Sequence, residues 1–238
     1  MIDKKEFVNG FLITERDGKK NYINEKEEIL SETWFDDVND FTAYGLAFVR
    51  NEGVTNVINN KGKLLLTKEY SSIRLFGNII IAKEVIMKPR RKIESIDVIN
   101  KEGQKALSRK ILKYISFAKD GYILLGDKEF NRNIIDRNGK LLFDSWYPIL
   151  QPIKLSEDAK EVYFYAGKYN SRNRRVYNIL DKEGNTPFSR KWFEYIVWDD
   201  EETSIGEALV IPEEVQVKYN GTRYIWNLTG KNNLKEVK

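Results

Sequence analysis

Short runs of apolar residues separated by polar turns recur along the whole chain of 238 residues. The runs are strand-length, and no stretch keeps an apolar residue every three to four positions for long enough to form an amphipathic helix. Clear examples are GFLIT, GLAFV, GNIIIA, GYILLG, EVYFYAG and GEALVI. Runs of this length, entered through glycine or a charged residue, are typical of β-strands. The pattern therefore predicts an all-β fold.

A second segment follows each apolar run and is similar from copy to copy. The copies are NYINEKEEIL from Asn21, NVINNKGKLLL from Asn56, DVINKEGQKAL from Asp97, NIIDRNGKLLF from Asn133, NILDKEGNTPF from Asn178 and, more weakly, YIWNLTGKNNL from Tyr224. Their turns are 35 to 46 residues apart. Self-similarity at this spacing indicates tandem structural repeats, as in solenoids, propellers and arrays.

Each copy carries an Asn or Asp three residues before a glycine. The Asx residues are Asn24, Asn59, Asn100, Asp136, Asp181 and Asn227, and the glycines are Gly62, Gly103, Gly139, Gly184 and Gly230, with Glu27 in the first copy. An Asx side chain accepts the backbone N–H two residues on, and glycine supplies the left-handed conformation that closes such a turn. The spacing predicts a type I turn with a G1 bulge inside a β-hairpin.

The repeat is predicted to run strand A, strand B, tight turn, strand C and a short strand or turn D. We expect one domain over residues 1–238, with repeats at about 10–43, 44–76, 77–119, 120–160, 161–204 and 205–238. Repeats of three to four strands cannot bury both faces alone, so they pack on their neighbours. One aromatic residue recurs at the same place in four repeats and is expected to wedge between adjacent sheets, the alternative being a row that binds sugars or bases. These residues are Trp34, Tyr70, Trp146 and Trp192.

Composition removes most catalytic chemistry. The chain has no histidine and no cysteine, which excludes histidine-based triads, cysteine nucleophiles, disulfides and the usual zinc or iron–sulfur sites. Carboxylate pairs such as Asp36-Asp37 remain chemically competent, yet adjacent loop carboxylates are common surface features. We therefore expect a protein that is not an enzyme, with no cofactor and no metal.

The N-terminal residues lack the apolar core of a secretory signal, and no apolar run approaches the length of a membrane span. The expected location is the cytoplasm or a virion. The net charge of +4 comes from 40 basic and 36 acidic residues, so the surface is mixed in sign. A dedicated DNA-binding domain usually carries a larger and more clustered basic excess.

The repeat resembles the WG-repeat family, whose copies read approximately GLA-x-V followed by K-W-G-Y-I-D-x-x-G-K. The segment AYGLAFVRNEGVTNVINNKGKLLL at residues 43–66 carries the resemblance most clearly. The Trp-Gly dipeptide itself is absent, and its glycine position is mostly Asn or Asp, residues that tolerate positive φ. The resemblance implies interaction rather than catalysis. It leaves open whether the repeats form an open curved array, which we favour, or a closed propeller-like ring.

Basic and acidic residues lie on different connections between the predicted strands. Two A–B connections are basic, with Lys88, Arg90, Arg91 and Lys92 in the third repeat and Arg172, Arg174 and Arg175 in the fifth. In antiparallel repeats the A–B and C–D connections emerge at one edge and the B–C and D–A connections at the other. With this assignment of strands, the edge formed by the B–C and D–A connections is predicted to be acidic. Its acidic residues are Asp36, Asp37, Asp40, Glu157, Asp158 and those within residues 198–202.

Three interpretations of the basic loops stay open: solvated surface, a binding site for an acidic partner, and a charged rim that promotes assembly. We expect a non-catalytic β-repeat protein that mediates protein–protein interaction, as a component of a larger assembly such as a phage virion. The alternative is a regulatory module that binds nucleic acid or an acidic ligand through its arginines. Only Tyr169 and Tyr177 lie among those arginines, which weakens the nucleic-acid interpretation.

Overall fold

The computed structural model describes residues 6–117, 121–197, 208–229 and 234–237. All regular elements of these residues are β-strands, so the prediction of an all-β fold is confirmed. The part of the chain that the structure describes contains no helix with the length and apolarity of a membrane span. The chain folds into two compact units, Met1–Lys110 with Arg137–Gly139 and Ile111–Asp136 with Lys140–Lys238.

The described residues of the first unit form three antiparallel sheets. Strand β1 pairs with β2, the second sheet has the order β3-β4-β5, and the third contains β6, β7 and β8 in that order. The strands are β1 (Phe11–Arg16), β2 (Lys19–Asn24), β3 (Asp37–Val38), β4 (Leu46–Asn51), β5 (Val54–Asn59), β6 (Ser72–Phe76), β7 (Ile79–Lys88) and β8 (Arg91–Asn100).

The described residues of the second unit also form three sheets. They contain β9-β10-β11, β12-β13-β14 with β16 parallel to β12, and β15-β17-β18-β19. The strands are β9 (Ile111–Phe117), β10 (Tyr122–Asp127), β11 (Arg132–Asp136), β12 (Ile149–Lys154), β13 (Tyr163–Tyr169), β14 (Arg175–Leu180), β15 (Tyr195–Val197), β16 (Leu209–Val210), β17 (Glu214–Tyr219), β18 (Thr222–Asn227) and β19 (Leu234–Glu236).

The sheets are offset from the sequence repeats. The short strand D that ends one repeat pairs with strand A of the next, as β3 does with β4 and β6 with β7. In the second unit β12 pairs with β13 in the same way. In the sixth repeat β17 takes the place of strand A and pairs with β15, whereas the predicted run GEALVI contains β16, which pairs with β12. Each of these four pairings of strand D therefore joins two consecutive repeats. This exchange ties neighbouring repeats together through backbone hydrogen bonds.

The predicted strand C forms in the sixth repeat as β19, which pairs with β18, but it is reduced to a single bridge in four other repeats. After the tight turn, strand B meets the following segment at a single bridge in each of four repeats, and the chain then leaves the sheet. These bridges join Ile23 to Ile29, Ile58 to Leu64, Ile99 to Lys105 and Ile135 to Leu141. The extended hairpin of each repeat is A–B, as in the six-residue pairing of β4 with β5. The residues that follow the tight turn, here called segment C, leave the sheet because side chains from strand B hold them in a bent path.

The tight turn has an Asx side chain at its centre. Asn59 Oδ1 accepts the backbone N–H groups of Lys61 and Lys63, both at 3.0 Å, and Gly62 N–H donates to Asn59 O. Gly62 has φ +78°, and Glu27 takes the same left-handed conformation in the first repeat. The last turn glycine, Gly230, lies outside the described residues, although Asn227 Oδ1 accepts the Thr229 N–H. Asn24, Asn100, Asp136 and Asp181 accept in the same manner.

The turn of one repeat packs against segment C of the repeat before it. A Cβ atom added to Gly62 would lie 2.1 Å from the carbonyl oxygen of Leu30, and one added to Gly103 would lie 3.3 Å from that of Leu65. Gly139 faces Ala106 and Ile79, and Gly184 faces Phe143. The glycine is therefore required twice, for its positive φ and for the close approach of the neighbouring repeat.

The Asn residues at the family's glycine position do not use positive φ, so that interpretation is wrong. Asn21, Asn133 and Asn178 lie in B strands and are fully buried. In each, Oδ1 accepts the N–H of the next residue and Nδ2 donates to two carbonyls of the segment ten to thirteen residues on. Asn56 holds the same segment by two bonds to Leu66: its Nδ2 donates to Leu66 O, and its Oδ1 accepts the Leu66 N–H. This residue, the asparagine staple, gives segment C its bent path.

The prediction that the four recurring aromatic residues pack in the core holds in part, since Tyr70 and Trp192 pack against hydrophobic core clusters. Trp34, Tyr70, Trp146 and Trp192 are half-buried. The residue directly after two of them is more deeply buried, since Phe35 is 1% and Phe193 0% exposed. In the first repeat Phe35 packs with Tyr22, Phe41 and Ile58. In this repeat the wedge position is therefore shifted by one residue, because the segment meets strand B through Phe35 N–H and C=O.

Candidate functional site

The predicted basic residues lie at the tips of two A–B hairpins. Lys88, Arg90, Arg91 and Lys92 are at the β7–β8 tip in the first unit. Arg172, Arg174 and Arg175 are at the β13–β14 tip in the second unit. Because the hairpins belong to different compact units, each is a candidate site by itself.

At the β7–β8 tip, Glu94 forms ion pairs with two of the neighbouring lysines. Lys92 Nζ lies 2.5 Å from Glu94 Oε1, and Lys83 Nζ lies 3.0 Å from Glu94 Oε2. The hydrogen bond from Lys92, followed by that from Lys83, lowers the pKa of Glu94. Lys88 and Arg90 are exposed. Part of the basic charge of this tip is therefore already paired.

The β13–β14 tip is built by one asparagine and leaves its arginines exposed. Asn170 Oδ1 accepts the N–H groups of Arg172 and Arg174 at 2.9 and 3.0 Å, and Asn173 has φ +55°. The side chains of Arg172, Arg174 and Arg175 point into solvent. Among the residues that the structure describes, no carboxylate lies within ion-pair distance of these three guanidinium groups.

Arg175 is held against an exposed tyrosine. Arg175 pairs with Tyr169 across the hairpin, its Nε donates to the Tyr169 hydroxyl at 3.2 Å, and its Cζ lies 5.7 Å from the ring centroid. The hydrogen bond to Tyr169 raises the pKa of Arg175, so the guanidinium stays charged. Tyr169 is 49% exposed. The pair presents a guanidinium group whose orientation is fixed before any partner arrives.

Two further cations, Lys168 and Lys191, extend the basic surface, and the sequence alone did not reveal Lys168. Lys168 Nζ lies 3.9 Å from the centroid of Trp192, and Lys191 Nζ lies 4.9 Å from that of Tyr219. Lys191 was visible as the neighbour of Trp192, but Lys168 required the strand register. The basic edge is defined by Lys168, Tyr169, Arg172, Arg174, Arg175, Lys191 and Trp192.

One face of each aromatic ring in this region is covered by a neighbouring side chain. Tyr165 and Tyr177 stack on each other with centroids 5.5 Å apart and an interplanar angle of 5°. Burial raises the pKa of Tyr165, which therefore stays neutral. Lys168 covers a face of Trp192, and Arg175 lies over Tyr169. The groups left to contact a partner are thus mainly N–H donors and positive charges.

The predicted acidic edge is wrong for Asp36 and Asp37. Asp37 lies opposite Arg50 near the β4–β5 tip, and Asp36 Oδ2 accepts the N–H of Glu52 in that tip. Both carboxylates are ion-paired, Asp36 with Lys19 and Asp37 with Lys20 at 2.7 Å. The cause is the position of strand D, which starts beside the A–B tip. Asp40, Glu157 and Asp158 are exposed, and residues 198–202 lie outside the described residues.

Two open grooves have the volume to hold a small ligand, but neither encloses it. The groove in the first unit, about 450 Å³, is lined by Phe48, Arg50 and Tyr70 among others. The groove in the second unit, about 630 Å³, is lined by residues that include Tyr122 and Lys140. Small-molecule sites are usually enclosed and mainly apolar, whereas both grooves are open to solvent. No cluster of three acidic residues placed to hold a metal ion occurs among the described residues.

One repeat replaces the asparagine staple by a charged cluster. Asp97 accepts from the Tyr70 hydroxyl and from Lys105 Nζ, both at 2.8 Å, and Lys68 Nζ lies 3.6 Å away. Burial opposes ionisation of Asp97, but the contacts with Lys105 and Tyr70 outweigh it and lower the pKa below its ordinary value. Burial and the contact with Asp97 raise the pKa of Tyr70. The third repeat therefore depends on charge where the first, second, fourth and fifth repeats depend on an amide.

Because Asp97 is charged, the loss of stability caused by Asp97→Asn is expected to depend on pH. A carboxyl with a lowered folded pKa stabilises the fold above its unfolded pKa, about 3.9, and that contribution disappears as pH falls through the folded value. The variant should be less stable than the native chain at pH 7, and the gap should shrink at pH 3. Urea unfolding at both pH values measures it. An equal difference in stability between the native chain and the variant at both pH values would show that the ionised Asp97 does not contribute to stability.

One segment of the chain matches a known protein family. Residues 22–54 match the family model of the WG containing repeat. The resemblance to the WG-repeat family is thereby confirmed over this segment. The WG-repeat match starts in β2, directly after Lys20-Asn21, and ends at the first residue of β5. No curated protein sequence matches the chain.

Solved structures that align with the chain include β-propellers. The WD40 domain of Toxoplasma gondii coronin aligns at 10% identity and a TM-score of 0.31, over 95% of this chain and 66% of that one. The β-propeller domain of Myceliophteria thermophila Cps50 (Swd1) aligns at 15% identity and a TM-score of 0.25, over 98% and 84%. The chain thus spans about two thirds of the coronin chain. At these TM-scores the alignments add nothing to the architecture described above.

Proposed function

We propose that this β-repeat protein binds an acidic segment of another protein through the basic edge of the β13–β14 hairpin. The observation that carries the proposal is the set of three exposed arginines with no carboxylate partner among the described residues. Charged side chains on folded surfaces are usually solvated singly. Here three guanidinium groups lie within four residues, in a loop whose backbone is held by Asn170.

Arginine suits a carboxylate partner because its planar donors contact both oxygens at once. Arg175 is already oriented by Tyr169, which lowers the side-chain entropy lost on binding. Lys168 of β13 lies over Trp192, and Lys191 precedes Trp192 in the C–D connection, so positive charge extends from the hairpin to that connection. Two or three carboxylates in an extended segment would therefore meet donors on both sides of the hairpin tip.

The covered rings favour carboxylates over nucleic-acid bases. Proteins that bind single strands stack bases on free aromatic faces next to a basic groove. At the basic edge, Lys168 occupies a face of Trp192, and Tyr165 and Tyr177 occupy each other. A phosphate backbone would meet only the charges. Binding to nucleic acid is therefore the competing result of the test rather than the proposal.

The proposal concerns the chemistry of the partner and includes no catalytic step. The β7–β8 tip was predicted from sequence with the same role, but Glu94 forms ion pairs with Lys83 and Lys92 there and offsets part of the positive charge. It serves as a built-in comparison within the same chain. The partner's identity decides whether the complex is an assembly of the cytoplasm or a component of a virion.

The test is a titration of the full chain with a labelled Glu/Asp-rich peptide, followed by fluorescence anisotropy at low and high salt. Replacing Arg172, Arg174 and Arg175 by alanine should weaken binding about tenfold or more, equivalent to about 1.4 kcal/mol. The matched control, Arg90→Ala with Lys92→Ala, should change affinity much less. Circular dichroism and thermal melting check that both variants fold like the native chain.

Two results would overturn the proposal. Equal affinity of the native chain and the triple variant would remove the basic edge as the binding site. Tighter binding of a single-stranded oligonucleotide than of the acidic peptide, lost in the same triple variant, would identify phosphate as the ligand chemistry.

A further inference from the structure

The β7–β8 hairpin is longer than the other hairpins of its compact unit. Strands β7 and β8 each contain ten residues, whereas β1, β2, β4 and β5 each contain six. Four additional residues per strand extend a hairpin by about 13 Å. The outer part, Glu84–Ser95, is called the β-ribbon. The β-ribbon extends beyond the hairpin length of the other repeats in this unit, so its residues are not required for the repeat architecture.

One edge of the β-ribbon is open. Strand β6 covers β7 only as far as Lys83, whose carbonyl accepts from Ser71. Because N–H and C=O groups alternate sides along a strand, those of Val85 and Met87 face the same direction as those of Lys83. Among the described residues, none makes a hydrogen bond to the backbone of Val85 or Met87 on this side. An unpaired strand edge is a template for pairing with another strand.

The same edge exposes apolar side chains. Ile86 is 43% exposed and Met87 73% exposed, and Val85 is half-buried. Folded proteins usually protect an open edge with an inward charge, a bulge or a proline. Proline occurs here only at Pro89, beyond the last residue of β7. The exposed edge is thus suited to burial against a partner strand.

The residues of this edge are complementary to themselves. Reading from Glu84 to Lys88, an acidic residue and a basic residue lie two positions either side of Ile86. We propose that two copies of the chain pair antiparallel through β7, with Ile86 opposite Ile86 of the second copy. Val85 then pairs with Met87, and Glu84 lies opposite Lys88, on each side of the two-fold axis. The contact is isologous and therefore closes as a dimer.

The direction of the backbone groups selects this register. Val85 and Met87 carry the outward N–H and C=O groups, so an antiparallel ladder must pair them with each other or with themselves. Centring on Ile86 is the register that also places Glu84 opposite Lys88. Glu84 Oε2 accepts from Lys68 at 2.7 Å, while no hydrogen bond from the described residues reaches Oε1. The carboxylate thus has an acceptor atom for the second copy's lysine.

The interface is small, and the dimer is accordingly weak. Pairing of five residues per copy buries less than the roughly 1,200 Å² at the lower end of stable interfaces. Self-association should therefore depend on protein concentration and decrease in high salt, which screens the pairs of Glu84 with Lys88. The inference is separate from the proposed function, because the basic edge lies on β13–β14.

A single-cysteine variant tests the pairing directly, since the chain has no cysteine of its own. In the proposed register the two Cα atoms of residue 86 are about 4.5 Å apart, which a disulfide can span. Ile86→Cys should form a disulfide-linked dimer under mild oxidation. The matched control is Val54→Cys, at an exposed position of the β4–β5 hairpin, which should remain monomeric.

Two further variants test the register and the edge. A mixture of Glu84→Cys and Lys88→Cys chains should cross-link as a heterodimer, whereas each alone should not. Met87→Pro removes an outward N–H without touching the β7–β8 ladder, so it should abolish concentration-dependent self-association in sedimentation velocity. Equal cross-linking of the residue 86 and residue 54 variants would overturn the proposal. So would self-association that persists in Met87→Pro.

Discussion

Gly62→Ala is expected to lower the free energy of unfolding by about 3 kcal/mol or more. The added Cβ would lie 2.1 Å from the carbonyl oxygen of Leu30, a backbone atom of the preceding repeat that cannot move as a side-chain end can. The variant residue would also have to adopt φ +78°, which costs roughly 1–2 kcal/mol for a residue with a Cβ. Chemical denaturation of the native and variant chains measures the difference.

Gly53→Ala is the matched control for this prediction. Gly53 has φ +81° at the β4–β5 tip, but nothing lies within 4 Å of an added Cβ. It therefore carries the backbone strain without the contact between repeats, and about 1 kcal/mol is expected. The difference between the two variants isolates the contact with Leu30. Equal destabilisation would show that the turns of consecutive repeats do not pack as described.

Asn133→Ala is expected to destabilise the chain by a similar amount, about 3 kcal/mol or more. Asn133 Oδ1 accepts the Ile134 N–H at 2.7 Å, and Nδ2 donates to the carbonyls of Phe143 and Ser145 at 2.7 and 3.2 Å. The side chain is fully buried, so its loss leaves polar backbone groups without partners in the interior. Each such group costs about 1–3 kcal/mol.

Two comparisons make the Asn133 prediction specific. Asn185→Ala removes an exposed amide whose Nδ2 contacts only Asp181 Oδ2, and it should change stability by less than about 0.5 kcal/mol. Asn133→Asp should be as damaging as Asn133→Ala at neutral pH, because a carboxylate would face two carbonyl oxygens. Asp97 is tolerated at the equivalent position since Tyr70 and Lys105 supply donors. A stable Asn133→Asp variant would contradict the staple.

The asparagine staple stabilises contacts within one repeat, whereas the turn glycine allows close contact between consecutive repeats. The staple fixes the path of segment C within one repeat, and the turn glycine then sets how closely the next repeat approaches that segment. Strand D continues into the following sheet and adds backbone pairing. These three contacts involve few residues, which explains how repeat lengths from 35 to 46 residues are accommodated in connecting loops.

Much of the fold class could be predicted from local patterns. Apolar runs of strand length indicate strands without reference to any distant residue, and the structure confirms an all-β chain. The WG-repeat resemblance is confirmed over residues 22–54. For the candidate site, the clustering of Arg172, Arg174 and Arg175 was visible from sequence. The role of these residues in binding stays a prediction.

Other features depended on distant contacts and were misjudged. Trp34 was expected in the core, but the bridge from the following segment to Lys20 turns Phe35 inward instead. Asp36 and Asp37 were placed on an acidic edge, whereas strand D brings them beside Lys19 and Lys20. In each case a shift of one residue or one connection exchanges the two faces or edges of a sheet.

By itself the sequence determined the kind of element, the position of the tight turns and the existence of about six repeats, because these depend on residues close together in the chain. Tertiary structure alone decided which strands share a sheet, which aromatic residue enters the core and which cations cover aromatic rings. The physical reason is that backbone conformation is set by neighbours in sequence, whereas burial and ion pairing are set by neighbours in space. The open edge of β7 and the basic edge of β13–β14 both belong to the second category.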